Sequence, residues 1–442
     1  MQNPGECAIL AQSIALLDEV EKVERLRQSV RKTGMGCLVF VKWVLLAGIV
    51  GLAVGAAAVA FHEAVGTVTA LRTMHPRLVW LLPLVGAGIP FFYKICGMEH
   101  DRGTNLVLTA VRDAEPMRFR TAPLIFLSTV ATHLVGGSAG REGAALQLGG
   151  SMAGWIGRKL KVDEKDERVM VMCGMAAAFS ALFGTPITAA IFAMEVVSVG
   201  VMYYAAFVPC LLASLGGFLL AHDLGLHGLV GYDAGQAAVL TGLSMFQTLV
   251  LGALCAVVSM VFCEAMHMGH RLGEKYISRP IVRGAVGGAL VLALVLLVPE
   301  SQLYCGAGDE LIRKLLGGRT IWYAFLLKML FTALTLGSGF RGGEIVPALC
   351  VGCAFGTWMG PVLGLPHGFA GALGMIGVFC GATNCPVTSI VLSYELFGGE
   401  GVVLYSLCCA VSYMLSGYFG LYSEQKIVYS KFRTEWIDRK AD

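Results

Sequence analysis

Charge is scarce in this chain. Asp, Glu, Lys and Arg make up 14 % of its 442 residues, against roughly 25 % in soluble domains, which excludes an ordinary soluble globular protein. An excess of one sign is missing as well. With 33 basic and 30 acidic residues the formal net charge is only +3, so there is no basic face for nucleic acid and no acidic tail, and no nucleic-acid partner is expected. No nucleotide-cradling loop, cofactor fingerprint or activated nucleophile stands out, so the chain reads as no enzyme and as needing no cofactor. A secretory leader is not legible either: charges come first and membrane-type sequence comes directly after, so the N-terminal segment is read as retained. The 14 cysteines lack the spacing of a disulfide framework; scattered along apolar runs, they read as small reduced hydrophobes.

What is present is apolar sequence and glycine. Hydrophobic residues reach 56 % and the mean hydropathy is +0.71, which places the chain in a lipid bilayer as a multi-pass protein of the cell membrane. Crossing the hydrocarbon takes about 20 apolar residues, yet several runs, such as 122–136 and 144–157, are shorter and begin or end in glycine. These read as broken or half-spanning helices, which lipid tolerates only around a protein-lined cavity. Residues 1–35 read as an amphipathic helix, with Ile14, Leu17, Val20 and Val23 at helical spacing. Its cluster of Lys22, Arg25, Arg27, Arg31 and Lys32 places the N-terminus in the cytoplasm by the positive-inside bias.

The chain repeats itself. A shift of 203 residues superposes Gly136 on Gly339, Gly140 on Gly343, Gly149 on Gly352 and Trp155 on Trp358; a shift of 200 superposes Gly174 on Gly374, Phe179 on Phe379, Pro186 on Pro386 and Glu195 on Glu395. Matches of Trp, Pro and Glu in one frame mark a duplication. The expected domains are therefore 1–35, a first transmembrane repeat at 36–235, a second at 236–420, and a C-terminal helix and tail at 421–442. Paired halves of this kind build a binding site at their interface from discontinuous helices.

The most polar points of the repeat are two glycine-rich turns, GGSAGREGAALQLGG at 136–150 and GSGFRGGEIVPALCVG at 337–352. In each, glycines let the backbone turn and approach a ligand, and a helix then begins with unpaired amides at its positive end, which is an anion site. Two such turns, with backbone at 140–144 and 344–347, would hold a small anion without a full positive charge. Each turn also carries a carboxylate. A charge at membrane depth costs ~2.5–3.5 kcal/mol and is functional by default. Glu142 stands where an anion would meet the first helix, so its carboxylate competes with the anion and leaves the site on taking a proton. Glu344 is placed to assist that transfer. The plainer alternative is a structural ion pair, Glu142 with Arg341 or Glu344 with Arg141. Glu195 and Glu395, as repeat mates, read as structural carboxylates accepting backbone amides.

GREG at 140–143, GGEIVP at 342–347, FGTPITAAIFAMEV at 183–196 and GATNCPVTSIVLSYELFG at 381–398 resemble the CLC family of anion channels and anion/proton antiporters, over nearly all of the chain after residue 36. The resemblance implies an all-α polytopic CLC-type fold with two inverted-topology repeats, and a homodimer with one pathway per subunit. It gives Glu142 the role of gate and proton carrier, and Gly140, Arg141, Gly143, Ile345 and Val346 as backbone contacts of the anion. It also gives Tyr429, in KIVYS, as a hydroxyl donor. Where chloride members carry GSGIPE this chain has DRGTNLVL, leaving Thr104 or Asn105 as donors; Ala144 comes after GREG where they have proline, and Val196 stands where a second glutamate is usual. With Glu344, these changes resemble the fluoride/proton antiporter branch. The expected function is fluoride export in exchange for protons. The alternatives are a chloride/proton antiporter or passive chloride channel, and, in another class, a metal-ion transporter using Cys263, Glu264, His267 and His270.

Overall fold

The structure is a computed structural model. It describes residues 4–442 apart from 100, 114, 227, 229 and 230, with side chains described from residue 33 onward. The amphipathic face expected within residues 1–35 therefore lies, up to Lys32, outside the described side chains. The chain divides into two units, Met1–Leu46 and Ala47–Asp442. The first holds only the N-terminal part of one long helix; the rest of that helix and every other element belong to the second.

Sixteen α-helices are present among the described residues, in two sets of eight. The first set is α1 (Pro4–Met74), α2 (Leu82–Ile95), α3 (Thr104–Asp113), α4 (Thr121–Leu134), α5 (Glu142–Lys159), α6 (Glu164–Phe183), α7 (Pro186–Glu195) and α8 (Phe207–Asp223). The second is α9 (Gly242–Tyr276), α10 (Pro280–Leu297), α11 (Asp309–Leu316), α12 (Ala324–Gly337), α13 (Ile345–Leu363), α14 (His367–Thr383), α15 (Pro386–Phe397) and α16 (Val402–Leu415). Six helical stretches, among them Thr33–Met74, Gly242–Tyr276 and Ile345–Leu363, are long and apolar enough to cross a bilayer, while α4, α7, α12, α14, α15 and α16 are apolar but shorter. Prolines at the first position of α7 and α15 explain two of the breaks, because a proline there lacks only a donor the helix start cannot use.

The two sets pack by the same scheme: α5 on α6 as α13 on α14, and α6 on α7 and α8 as α14 on α15 and α16. Glycine makes the closest of these crossings possible. A Cβ on Gly149 would stand 2.2 Å from the Gly174 carbonyl oxygen, and one on Gly352 would stand 2.2 Å from that of Gly374. These four residues are repeat mates, so the same small-residue crossing occurs in both halves. Between the halves α2 lies on α10 and α7 on α15.

Residues 421–442, expected as a helix and tail, carry strands instead. β1 (Ser198–Val199), β2 (Lys426–Tyr429) and β3 (Trp436–Lys440) form a small sheet, with β1 parallel and β3 antiparallel to β2. Gln425 anchors it, its Nε2 donating to the Val196 and Thr383 carbonyls at 2.8 Å each. Lys440 and Arg112 flank Glu424 and hold its carboxyl below the usual carboxylate range.

Candidate functional site

Both glycine-rich turns are built the same way. Gly136 and Gly339, repeat mates, have φ of +86° and +101°, a backbone that a side chain disfavours. Each reverses the chain and aims it at the other half. Gly140 and Gly343 then meet as an isolated antiparallel bridge: the Gly140 amide donates to the Gly343 carbonyl and the Gly343 amide to the Gly140 carbonyl, both at 2.7 Å. Reciprocal bonds between the same two positions are what a two-fold relation between halves requires. A Cβ on Gly343 would stand 2.4 Å from the Gly143 nitrogen.

The bridge pins the N-termini of α5 and α13 against each other. The first helical bond of α5 is from the Ala145 amide to the Arg141 carbonyl, and that of α13 from the Ala348 amide to the Glu344 carbonyl. The amides of Glu142, Gly143 and Ala144, and of Ile345 and Val346, are thus first-turn donors without a helical acceptor. Residue 347 is proline, so the third position of α13 adds no further donor. Ile345 and Val346 are fully buried. Gly140 leaves the set of amide donors, because its N–H is committed to Gly343. Arg141 also differs from expectation: its amide donates to Glu142 Oε2 at 2.9 Å, and its Nε lies 3.5 Å from Glu142 Oε1.

Glu142 is 1 % exposed. Its carboxylate folds back over the start of its own helix, with Oε2 2.5 Å from the point where a Cβ on Gly140 would stand. A negative group on the N-cap amide at a positive helix end stands where that end would draw an anion. Glu344 holds the corresponding N-cap position of α13 in the other half, its side chain makes no capping bond, and its Oε2 is buried without a hydrogen-bond partner among the described residues. Neither anticipated ion pair forms. Arg341 lies 3.5 Å from Asp101 and over the Tyr93 ring at 4.4 Å, and Arg141 faces Glu142 rather than Glu344.

Of the two donors expected from DRGTNLVL, Thr104 reaches the site. Its Oγ1 is 3.2 Å from the point where a Cβ on Gly143 would stand and accepts from Gln147 Nε2 at 3.4 Å. Asn105 turns away, its Oδ1 accepting from the Glu424 amide at 3.1 Å. Tyr429 is a correction of the same kind: it is 45 % exposed, on β2, with its ring edge-on to Trp436. Tyr422 is the buried tyrosine at this point of the fold. It is 2 % exposed, its hydroxyl has no hydrogen-bond partner, and it is in electrostatic range of both Glu344 and Glu142. The sequence carried a signal for it. Tyr422 directly follows apolar Phe419–Leu421, whereas Tyr429 sits among Lys426, Ser430 and Lys431. Tyr422→Phe is expected to raise the anion concentration for half-maximal transport by roughly tenfold or more, the value of one hydrogen bond to a charged group. Tyr429→Phe is expected to leave that concentration unchanged. Transport titrations of the two variants check both.

Sequence reasoning also passed over Lys328, a lysine inside the apolar run of α12. It is fully buried, and its Nζ donates to Ser138 Oγ (3.0 Å), the Tyr304 carbonyl (3.2 Å) and the Gly306 carbonyl (2.6 Å). Ser138 is held further by Thr332 Oγ1 at 2.9 Å, and its amide by Thr335 Oγ1 at 3.1 Å. The helix that leads into the second turn therefore holds the first one in place.

The metal alternative finds no site. Cys263 Sγ faces the Ala382 carbonyl, His267 Nε2 the Leu421 carbonyl at 3.3 Å, and Glu264 pairs with Arg271. Among the described residues no group of three or more His, Cys, Asp or Glu side chains converges on a point that could hold a metal ion.

Residues 87–417 match the family model described as voltage gated chloride channel. A chloride/fluoride channel protein of Pseudomonas syringae pv. tomato is 33 % identical over 396 residues, covering 88 % of this chain and 87 % of its own. An H(+)/Cl(−) exchange transporter ClcA of Salmonella paratyphi B is 25 % identical over 93 % of this chain and 91 % of its own. Among solved structures, a CLC-type fluoride/proton antiporter superposes with a TM-score of 0.83 at 32 % identity, covering 87 % of this chain and 98 % of that one.

Proposed function

The chain belongs to the voltage gated chloride channel (CLC) family, as a multi-pass membrane protein of CLC fold, and we propose that it exports fluoride across the cell membrane in exchange for protons. The observation that carries this reading is the Glu142 carboxylate lying on the Arg141 amide at the start of α5. Ionised, it fills an anion's place; protonated, it loses the charge that holds it at a positive helix end and yields that place. Anion and ionised carboxylate thus exclude each other at one position, so entry of the anion is tied to protonation of Glu142.

The anion is held by the first-turn amides of α5 and α13, by Thr104 and by Tyr422. Fluoride is small and strongly hydrated, so its water is replaced only by closely set N–H and O–H donors, and this set is made of nothing else. Glu344, whose Oε2 is buried without a hydrogen-bond partner among the described residues and stands near Gly143, takes the proton on from Glu142. The basic cluster before residue 33 supports a cytoplasmic N-terminus, and the family supports a homodimer with one pathway per subunit.

The test uses purified protein in liposomes loaded with fluoride and chloride, with selective electrodes and a pH electrode outside. Fluoride is expected to leave and chloride to stay, while external pH rises as protons move inward. Equal rates for the two anions would sink the fluoride reading; fluoride efflux with no change of pH would sink the antiport reading.

A further inference from the structure

A pocket of about 670 Å³ opens where the α2–α3 connection meets residues 115–118, and Glu99, Asp101, Arg102, Glu115 and Arg118 are among its walls. Arg102 and Glu115 pair with each other. Asp101 does not behave like a surface carboxylate. Its side chain is 0 % exposed, and among the described residues neither oxygen has a hydrogen-bond donor; its charged neighbour is Arg341 at 3.5 Å. Arg341 stands three residues before Glu344 on the second glycine-rich turn.

From Asp101 inward the polar groups continue. Arg341 Nη1 and Gln147 Nε2 both lie 3.8 Å from the point where a Cβ on Gly103 would stand. Gln147 is 2 % exposed; its Nε2 donates to Thr104 Oγ1 and to the Gly143 carbonyl at 3.2 Å, while its Oε1 has no partner. Thr104 Oγ1 and Glu344 Oε2 then flank Gly143, at 3.2 and 3.7 Å from where its Cβ would stand. Asp101 Oδ1 and Oδ2, Gln147 Oε1 and Glu344 Oε2 are thus buried oxygens with no hydrogen-bond donor among the described residues.

Buried oxygens normally have a donor, and a run of orphaned ones is stable where water can reach them. Their chemistry also selects what passes. Acceptor oxygens cannot solvate an anion, and a carboxylate repels one, whereas both accept a proton. We propose that Asp101 and Gln147 form the route by which protons pass between this pocket and Glu344. The proposal rests on the antiport reading and assigns that reading's proton path on the pocket side. A hydrated proton in the pocket transfers to the Asp101 carboxylate, then through water bonded to Gln147 Oε1 and Thr104 Oγ1 to Glu344 Oε2. Each hop breaks one O–H bond and makes another, and the Glu344 carboxyl ends neutral. Arg341, Arg102 and Arg118, with Glu99 and Glu115, are the charged groups around the first step.

The test compares wild type with Asp101→Asn, Asp101→Glu and Gln147→Leu in fluoride-loaded liposomes, recording maximal proton-coupled turnover and the fluoride concentration for half-maximal rate. Removing a proton-transfer group is expected to lower maximal turnover by about a hundredfold in Asp101→Asn and Gln147→Leu, with the half-maximal concentration unchanged. Asp101→Glu, which keeps a carboxyl, is expected to recover most of the rate. Gln147→Leu leaves the Arg341–Asp101 pair in place, so it carries the test if Asp101→Asn fails to fold. Wild-type turnover in Gln147→Leu, or a raised half-maximal concentration at full turnover, would overturn the route. A wild type that moves fluoride but no protons overturns the antiport reading itself, and is seen before any variant is made.

Discussion

Glu142→Gln is expected to remove proton coupling while anions still cross. The glutamine has nearly the same shape as the protonated acid and, like it, lacks the charge that holds the carboxylate on the Arg141 amide, so it yields the anion's place. It cannot ionise, and it cannot accept a proton near neutrality. Two consequences differ in sign. Proton flux should fall by about a hundredfold or more, because the group that loads and releases the proton is gone. Anion binding should tighten. The ionised carboxylate competes for the anion's own place at the positive helix start, and glutamine lifts that competition. Fluoride efflux in liposomes should therefore persist without a pH change and saturate at a lower concentration. Proton movement at the wild-type rate would show that Glu142 is no carrier and return the role to Glu344 alone.

The contrast between what the sequence disclosed and what it concealed has a physical pattern. Features repeated in both halves were legible, because the same local chemistry gives the same local structure. Gly136 and Gly339 share a left-handed backbone, and Gly149 and Gly352 share a crossing. The carboxylates at depth, Glu142 and Glu344, stood out because so few charges are present at all. Features decided by contacts between distant segments were not legible. The Gly140 amide belongs to Gly343, which only the meeting of the halves determines. Asn105 follows Glu424, and Tyr429 is drawn to the surface because β2 pairs with Ser198–Val199 and Trp436. Arg341 was available on paper to Glu142, but Asp101 and Tyr93 hold it. Lys328 was visible as a charge in an apolar run; its three acceptors, from residues 138, 304 and 306, were not.

The largest loss of stability from a single side chain is expected at Glu195. This residue ends α7, and its carboxylate crosses to the start of α15, where Oε1 accepts from the Val387 amide at 3.1 Å and Oε2 accepts from the Thr388 amide at 2.8 Å and the Thr388 hydroxyl at 2.5 Å. Glu395 returns the arrangement from α15 to α7, accepting from the Ile187 and Thr188 amides at 3.0 and 2.8 Å. Each half thus caps the other's helix, but not equally: Thr388 Oγ1 is bonded and Thr188 Oγ1 is not, and Glu195 is 8 % exposed. A hydrogen bond to a charged group contributes about 1.5–3 kcal/mol, and an orphaned buried donor costs about 1–3 kcal/mol. Relief of carboxylate burial offsets part of this. Glu195→Ala should therefore destabilise by roughly 3 kcal/mol and lower the thermal midpoint in detergent by roughly 5 °C, followed through the reaction of newly exposed buried cysteines with a thiol dye. Glutamine is no rescue, because its NH₂ would face a backbone N–H. Glu395→Ala should lose less, having one bond fewer. In liposomes the ratio of protons to fluoride should stay at the wild-type value in every variant that folds, since a cap does not carry protons. A Glu195 variant with an unchanged midpoint and a lost ratio would move this residue from the frame to the proton path.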